Sequence, residues 1–294
     1  MDDCQLAAAL GLVDATRPHL IELYLTRASR ERGGDAPWWG AFPNVPLHTV
    51  SFDRQRFPNM TTLTIEGVRM VLKDPQAFSS RLRVLDMRRC VVLCDPPIFT
   101  LSRFVDVLAS YSTLEEVHLT RMRSQFHHNS ESHGQPGTAT HQSRIVSIPK
   151  LRILILRDEA GVVSSFMSSL YVPLNVYVRI ESEVDSLSQD TPALFLPLFP
   201  LNRRQTLPIL DNLRVLHIQF GIPSNMFDVM ASSEGGELIL SLAVGLEHRT
   251  ELLVSRALGE IIQLYANAPL TDVTVELVVS NLVLEDAEWK RFFA

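Results

Sequence analysis

The chain has 294 residues, 46% of them apolar and 20% charged, with a formal net charge of −6; this is a folding composition, and its acidic balance speaks against nucleic acid or anionic lipid as a partner. Three cysteines, Cys4, Cys90 and Cys94, argue against a disulfide framework and for a reducing compartment, cytoplasm or nucleus. No apolar run nears the roughly 18 residues that span a bilayer, and the first residues, MDDCQLAAALGLVD, are acidic where a signal peptide is basic.

The first expected strand lies in LIELYLTRA, where Leu20, Leu23 and Leu25 hold apolar positions in the frame L-x-x-L-x-L-x-x-C. An insertion at residues 29–46 follows, rich in Gly and Pro and containing Trp38 and Trp39. LHTVSF at Leu47 alternates like a strand but starts only 13 residues before the next copy. A repeat needs about 20 residues or more, so this stretch is expected as an extra edge segment. MTTLTIEGV carries the frame with Met60, Leu63 and Ile65, LRVLDMRRC with Leu82, Leu85 and Met87, and LEEVHLTRM with Leu114, Val117 and Leu119. Before the last of these, Leu101, Phe104, Val105 and Leu108 stand at helical spacing.

Residues 123–145 have almost no apolar content and read as a disordered insertion. Its four histidines, His127, His128, His133 and His141, lack the tight spacing and thiolates of a structural zinc site, and no metal is assigned to them. LRILIL then repeats the frame with Leu151, Leu154 and Leu156, and LRVLHI with Leu213, Leu216 and Ile218. The 62 residues from Leu151 to Leu213 leave room for a hidden strand, NVYVRI, around Val176 to Ile180. ELILSLA, residues 237–243, is another strand by alternation. RTELLVSRALGEIIQLYA has helical spacing and runs into LTDVTVELV, a weaker copy built on Leu270, Val273 and Val275.

Alternating apolar side chains share one face of a strand. One such strand makes no core, whereas copies stacked in parallel bury a continuous apolar column. The ninth position is small or apolar in Ala28, Val68, Cys90, Met122 and Gly221, and breaks at Glu159. With six clear copies, the pattern resembles the leucine-rich-repeat family in its cysteine-containing form. It is most similar to the repeat region of the large fungal F-box/leucine-rich-repeat family. SIPKLRILIL followed by a helix, SSLYVPLNVYVRIE and LEDAEWKRFFA carry that likeness. The resemblance implies an α/β fold over a single domain, 1–294: a leucine-rich-repeat solenoid of irregular repeat length, with a curved parallel sheet on its concave face and helices on its convex face. It also implies protein binding, as in the recruitment of substrates to a cullin-RING ubiquitin ligase. An F-box is a helical module with a Leu-Pro-x-Glu start, and none is read in this sequence. The ligase adaptor is therefore a partner only if an F-box is supplied upstream.

Strand positions facing away from the apolar column are the expected binding face. They carry Glu22, Tyr24, Glu66, Asp86, Arg88, Glu116, His118, Ile155, Arg157, His217, Gln219, Asp272 and Glu276: six carboxylates against two arginines. The partner expected here is an unidentified protein of basic character, and Asp86 and Glu116 are expected to point to solvent. Parallel stacking would align Thr64, Asp86 and His118. A hydroxyl, carboxylate and imidazole suggest a hydrolase, but no nucleophile elbow or oxyanion donor accompanies them, and neither enzyme activity nor a cofactor is expected. Cys90 is expected in the core. Trp38 and Trp39 are either a partner anchor or a cover for the end of the apolar column.

Overall fold

In the computed structural model, the residues described are 19–26, 48–52, 57–72, 78–94, 101–122, 144–184, 193–221, 226–244 and 250–278. Trp38, Trp39, the insertion at 29–46, the four loop histidines and all but the last two residues of the 123–145 insertion lie outside them. The fold is α/β with mostly parallel strand pairing, and the chain forms two compact units, Met1–Leu151 and Arg152–Ala294.

In the first unit, the four framed copies become β1 (Glu22–Thr26), β3 (Thr62–Glu66), β5 (Val84–Arg88) and β7 (Glu116–Thr120). They pair in parallel without slippage: Leu23, Leu63, Leu85 and Val117 form one cross-strand row, and Leu25, Ile65, Met87 and Leu119 another. All eight side chains are buried, as are Met60, Leu82 and Leu114 at the head of the frame. Burying such a side chain contributes roughly 1.5–3 kcal/mol, which fixes the register, because a one-residue slip would turn every leucine outward.

The backbone repeats as faithfully. The Ile21 carbonyl accepts the N–H groups of Thr61 and Thr62 at 2.8 and 3.2 Å, the Thr61 carbonyl those of Arg83 and Val84 at 2.7 and 3.0 Å, and the Arg83 carbonyl those of Glu115 and Glu116 at 2.8 and 2.9 Å. At the far end of the strands, Gly67, Arg89 and Arg121 occupy the eighth frame position with φ of 67°, 53° and 48°. Each opens a corner. The Gly67 N–H donates to the Arg88 carbonyl at 2.9 Å, and the Arg89 N–H to the Thr120 carbonyl at 2.7 Å.

The corners at Gly67 and Arg89 lead into two strands of a second, three-stranded parallel sheet that the sequence did not reveal. It consists of β2 (His48–Phe52), β4 (Val68–Leu72) and β6 (Val91–Cys94). The LHTVSF segment is its first strand, paired with β4. A row of aromatic rings crosses the core: Phe52 lies 6.1 Å from Phe57 and 6.0 Å from Phe78, and Phe78 lies 5.8 Å from Tyr111. The Tyr111 hydroxyl accepts the buried Phe78 N–H at 2.9 Å. The expected helix is α1 (Leu101–Ala109), which buries Phe104, Val105, Val107 and Leu108. A two-residue strand, β8 (Val146–Ser147), ends the unit.

The second unit departs from simple stacking. β9 (Ile153–Arg157) leads to α2 (Ala160–Ser169), the two-residue β10 (Leu170–Tyr171) and β11 (Tyr177–Val184), the hidden strand expected in the long gap. β11 pairs in parallel with β9 and with β14 (Glu237–Val244). Between them in sequence, β12 (Val215–Gly221) and β13 (Met226–Ser232) form an antiparallel meander with β14. The order is therefore β9-β11-β14-β13-β12-β15, with β15 (Asp272–Val278) parallel to β12. The all-parallel expectation fails at β13, whose sequence MFDVMAS alternates as strictly as its neighbours but lies outside the leucine frame. Gly236, in the tight turn from β13 to β14, passes so close to Leu174 that a Cβ would collide with the Leu174 carbonyl oxygen.

One short helix, α3 (Arg203–Thr206), and the long α4 (Thr250–Tyr265) complete the unit. α4 buries Val254, Ala257, Leu258 and Ile261, and with them Glu260, only 5% exposed. The Glu260 carboxylate accepts three consecutive backbone N–H groups, from Leu194 (2.7 and 2.8 Å), Phe195 (2.6 Å) and Leu196 (3.0 Å). It thereby satisfies the free donors at the start of a 3-10 turn, Leu196–Leu198.

Candidate functional site

Because side chains alternate along a strand, each sheet has a second face, turned away from the leucine core. In the first unit its central row is Tyr24, Thr64, Asp86 and His118, each aligned with the next in the parallel register. The row beyond it holds Thr26, Glu66, Arg88 and Thr120, and the row before it Glu22, Thr62, Val84 and Glu116. The sequence thus named the right neighbours.

It misjudged their state in one place. Asp86 does not point to solvent: it is 6% exposed. The Arg88 guanidinium closes on it with two bonds, Nε to Oδ1 at 3.0 Å and Nη2 to Oδ2 at 2.7 Å. The reason is spacing. Residues 86 and 88 share a face of β5, so the longer side chain folds back along the strand, and the fork of the guanidinium fits both carboxylate oxygens. That hydrogen-bonded pairing raises the Arg88 pKa against the opposing effect of burial. Asp86 therefore adds no free negative charge, and the acidic character of this face rests on Glu22, Glu66 and Glu116. The His118 Nε2 lies 3.8 Å from Glu116 Oε2. Tyr24 is 60% exposed beside Glu22, and its hydroxyl donates to Glu22 Oε2 at 3.3 Å. The neighbouring negative charge, with smaller contributions from burial and that bond, raises the tyrosine pKa.

Thr64, Asp86 and His118 do stand in one row, but both Asp86 oxygens are engaged by Arg88 rather than free to orient an imidazole. Cys90 is fully buried and donates to the Ile65 and Arg88 carbonyls at 3.4 and 3.3 Å. Burial pushes its thiol up to about 12, so it is a packing residue and not a thiolate nucleophile.

The corresponding face of the second unit contains Arg157 and His217, both anticipated, and a feature that was not. Glu181, 4% exposed, is held between Arg157 on the adjacent strand (Nε to Oε2, 3.0 Å) and Arg179 on its own strand (Nε to Oε1, 2.5 Å). Arg157 and Glu181 are register partners between β9 and β11. Once NVYVRIE is paired beside LRILILR, the cluster follows from alternation alone. The same pairing places Ser241 next to Glu181, also buried. His217 lies 3.7 Å from Glu276 across β12 and β15.

Among the described residues no group of three or more His, Cys, Asp or Glu side chains is arranged to hold a metal ion, and no helix is long and apolar enough to cross a membrane. No family model, curated protein or solved structure matches the chain.

Proposed function

We propose that this chain is a protein-binding repeat module, a leucine-rich-repeat-like solenoid whose outward sheet face receives a partner. One observation carries the reading. Four copies of the frame place Tyr24, Thr64, Asp86 and His118 in one unbroken row above a fully buried apolar column. A surface built by stacking repeats is extended and laid out residue by residue, which suits it to holding a polypeptide. Both Asp86 oxygens are engaged by Arg88, the Cys90 thiol is held protonated in the core, and the row provides no activated nucleophile. These features favour binding over catalysis.

On the first unit the partner is basic, meeting Glu66 and Glu116. Recruitment to a cullin-RING ligase remains part of this proposal only together with an F-box. The test uses the tagged chain to recover partners from cell extract, with three proteins side by side: wild type, Glu66→Lys/Glu116→Lys, and Trp38→Ala/Trp39→Ala. Loss of partners with the charge pair supports the sheet face; loss with the tryptophan pair alone rejects it. The presence of the ligase adaptor among the recovered proteins decides the ligase role.

A further inference from the structure

The two outward faces differ in chemistry. On β3, β5 and β7 the nine outward positions hold a single apolar side chain, Val84. On the second unit one cross-strand row runs Ile155, Arg179, Ile239, Met230, His217. Its isoleucines and methionine are half-buried, and Val215, one row away, is 41% exposed. An apolar band on the solvent side of a sheet contributes nothing to the leucine core and is characteristic of a docking surface.

The band is also electrically polarised. At the β9/β11 end two guanidiniums, on side chains 34% and 38% exposed, close on the one buried carboxylate of Glu181. At the other end β15 presents Asp272 and Glu276 to solvent, and β13 adds the half-buried Asp228. Strands β12, β13 and β15 contain no Lys or Arg at all. β11 and β15 are four strand spacings apart, about 19 Å at ~4.8 Å each, a distance that six extended residues cover.

We propose that this face takes an extended peptide segment of a partner protein, crossing the strands, with acidic side chains at one end, apolar ones in the middle and Lys or Arg at the other. The acidic end receives the guanidinium forks of Arg157 and Arg179. The middle covers Ile155, Ile239 and Met230. The basic end meets Asp272 and Glu276. A uniformly basic segment is disfavoured by the arginine pair, and a uniformly acidic one by the carboxylates. The proposal rests on the reading of the sheet faces as binding surfaces and assigns the second unit its own ligand chemistry.

Three fluorescein-labelled peptides titrated with the whole chain test it by fluorescence anisotropy: Glu-Glu-Leu-Ile-Val-Leu-Lys-Lys, the version with Lys-Lys at both ends, and the version with Glu-Glu at both ends. The mixed peptide is expected to bind about 10-fold more tightly than either other, a difference of ~1.4 kcal/mol. Asp272→Lys/Glu276→Lys, on exposed side chains, is expected to move the preference to the all-acidic peptide. Equal binding of the three, no binding of the mixed peptide, or an unchanged preference in that variant overturns the proposal. If Glu66→Lys/Glu116→Lys removes mixed-peptide binding and Asp272→Lys/Glu276→Lys does not, the assignment to the second unit is wrong while the sheet-face reading stands.

Discussion

Gly67, Arg89 and Arg121 hold the same left-handed corner at the same repeat position, yet only one is glycine. An L-residue in that region costs about 1–2 kcal/mol, and at Arg89 the corner N–H, like that of Gly67, is bonded to the neighbouring copy, which offsets that cost. Gly67→Ala is therefore expected to lower stability by about 1 kcal/mol without changing the fold, measured as a shift in the urea midpoint at constant slope. Cys90, one residue past the second corner, gives a pH signature. Its thiol titrates at about 12 when folded against a reference of 9.0. The folded state thus keeps a proton that the unfolded chain gives up, and the resulting stability is present below pH 9 and lost as pH rises towards 12. The slope is about 1.4 kcal/mol per pH unit. In urea unfolding, wild type should lose stability relative to Cys90→Ala at about this slope from pH 9 to pH 11, and not between pH 8 and pH 9; parallel pH profiles for the two proteins would show that the buried thiol does not titrate as described.

Within elements, the apolar frame and the polar contacts do different work. Leu85 sits in the middle of the β1-β3-β5-β7 column with no exposed surface. Leu85→Ala should cost about 2–5 kcal/mol, the range for a buried leucine that leaves a cavity; a melting temperature within a degree of wild type would contradict the register. Glu260 has the opposite character, a charge on the buried stripe of α4 whose oxygens serve three backbone donors. Glu260→Gln retains one oxygen but turns an amide NH₂ towards those donors. The expected cost is about 1.5–3 kcal/mol, as for hydrogen bonds to a charged group. Amide exchange should become faster at Leu194, Phe195 and Leu196 before it changes in β11 or β14.

At the scale of the molecule, each unit has a leucine-lined core and an outward face of its own chemistry. The face of the first unit is polar, with carboxylates at Glu22, Glu66 and Glu116, while that of the second carries an apolar band. On the proposed reading, association through the first is electrostatic and should weaken several-fold between 50 mM and 300 mM salt, because the Debye length shortens through that range. Partner affinity that is unchanged over this salt range would place binding on apolar surface instead.

Much of this was legible in the sequence. The frame located β1, β3, β5, β7, β9 and β12, the long gap between two of its copies pointed to β11, and alternation supplied β14, because a period of two in apolar residues has one stable use, a strand with one face in a core. It also named the row Thr64, Asp86 and His118, to which the structure adds Tyr24, since equal frames stack in equal register. The three-stranded second sheet escaped it because β4 and β6 begin one or two residues past a corner, and nothing local marks an arginine as left-handed. The β13 strand escaped because antiparallel pairing reverses the chain, and a frame defined by direction does not reveal a reversal. The charge states of the faces were decided once the strands were in place, by local spacing as well as by cross-strand pairing. Asp86 is neutralised by a neighbour two residues away, Glu181 is enclosed by arginines from two strands, and Glu260 reaches donors more than sixty residues distant in sequence. Apolar burial is a one-body property that a residue carries in its own pattern, whereas a buried charge is defined by the partners that the fold brings to it.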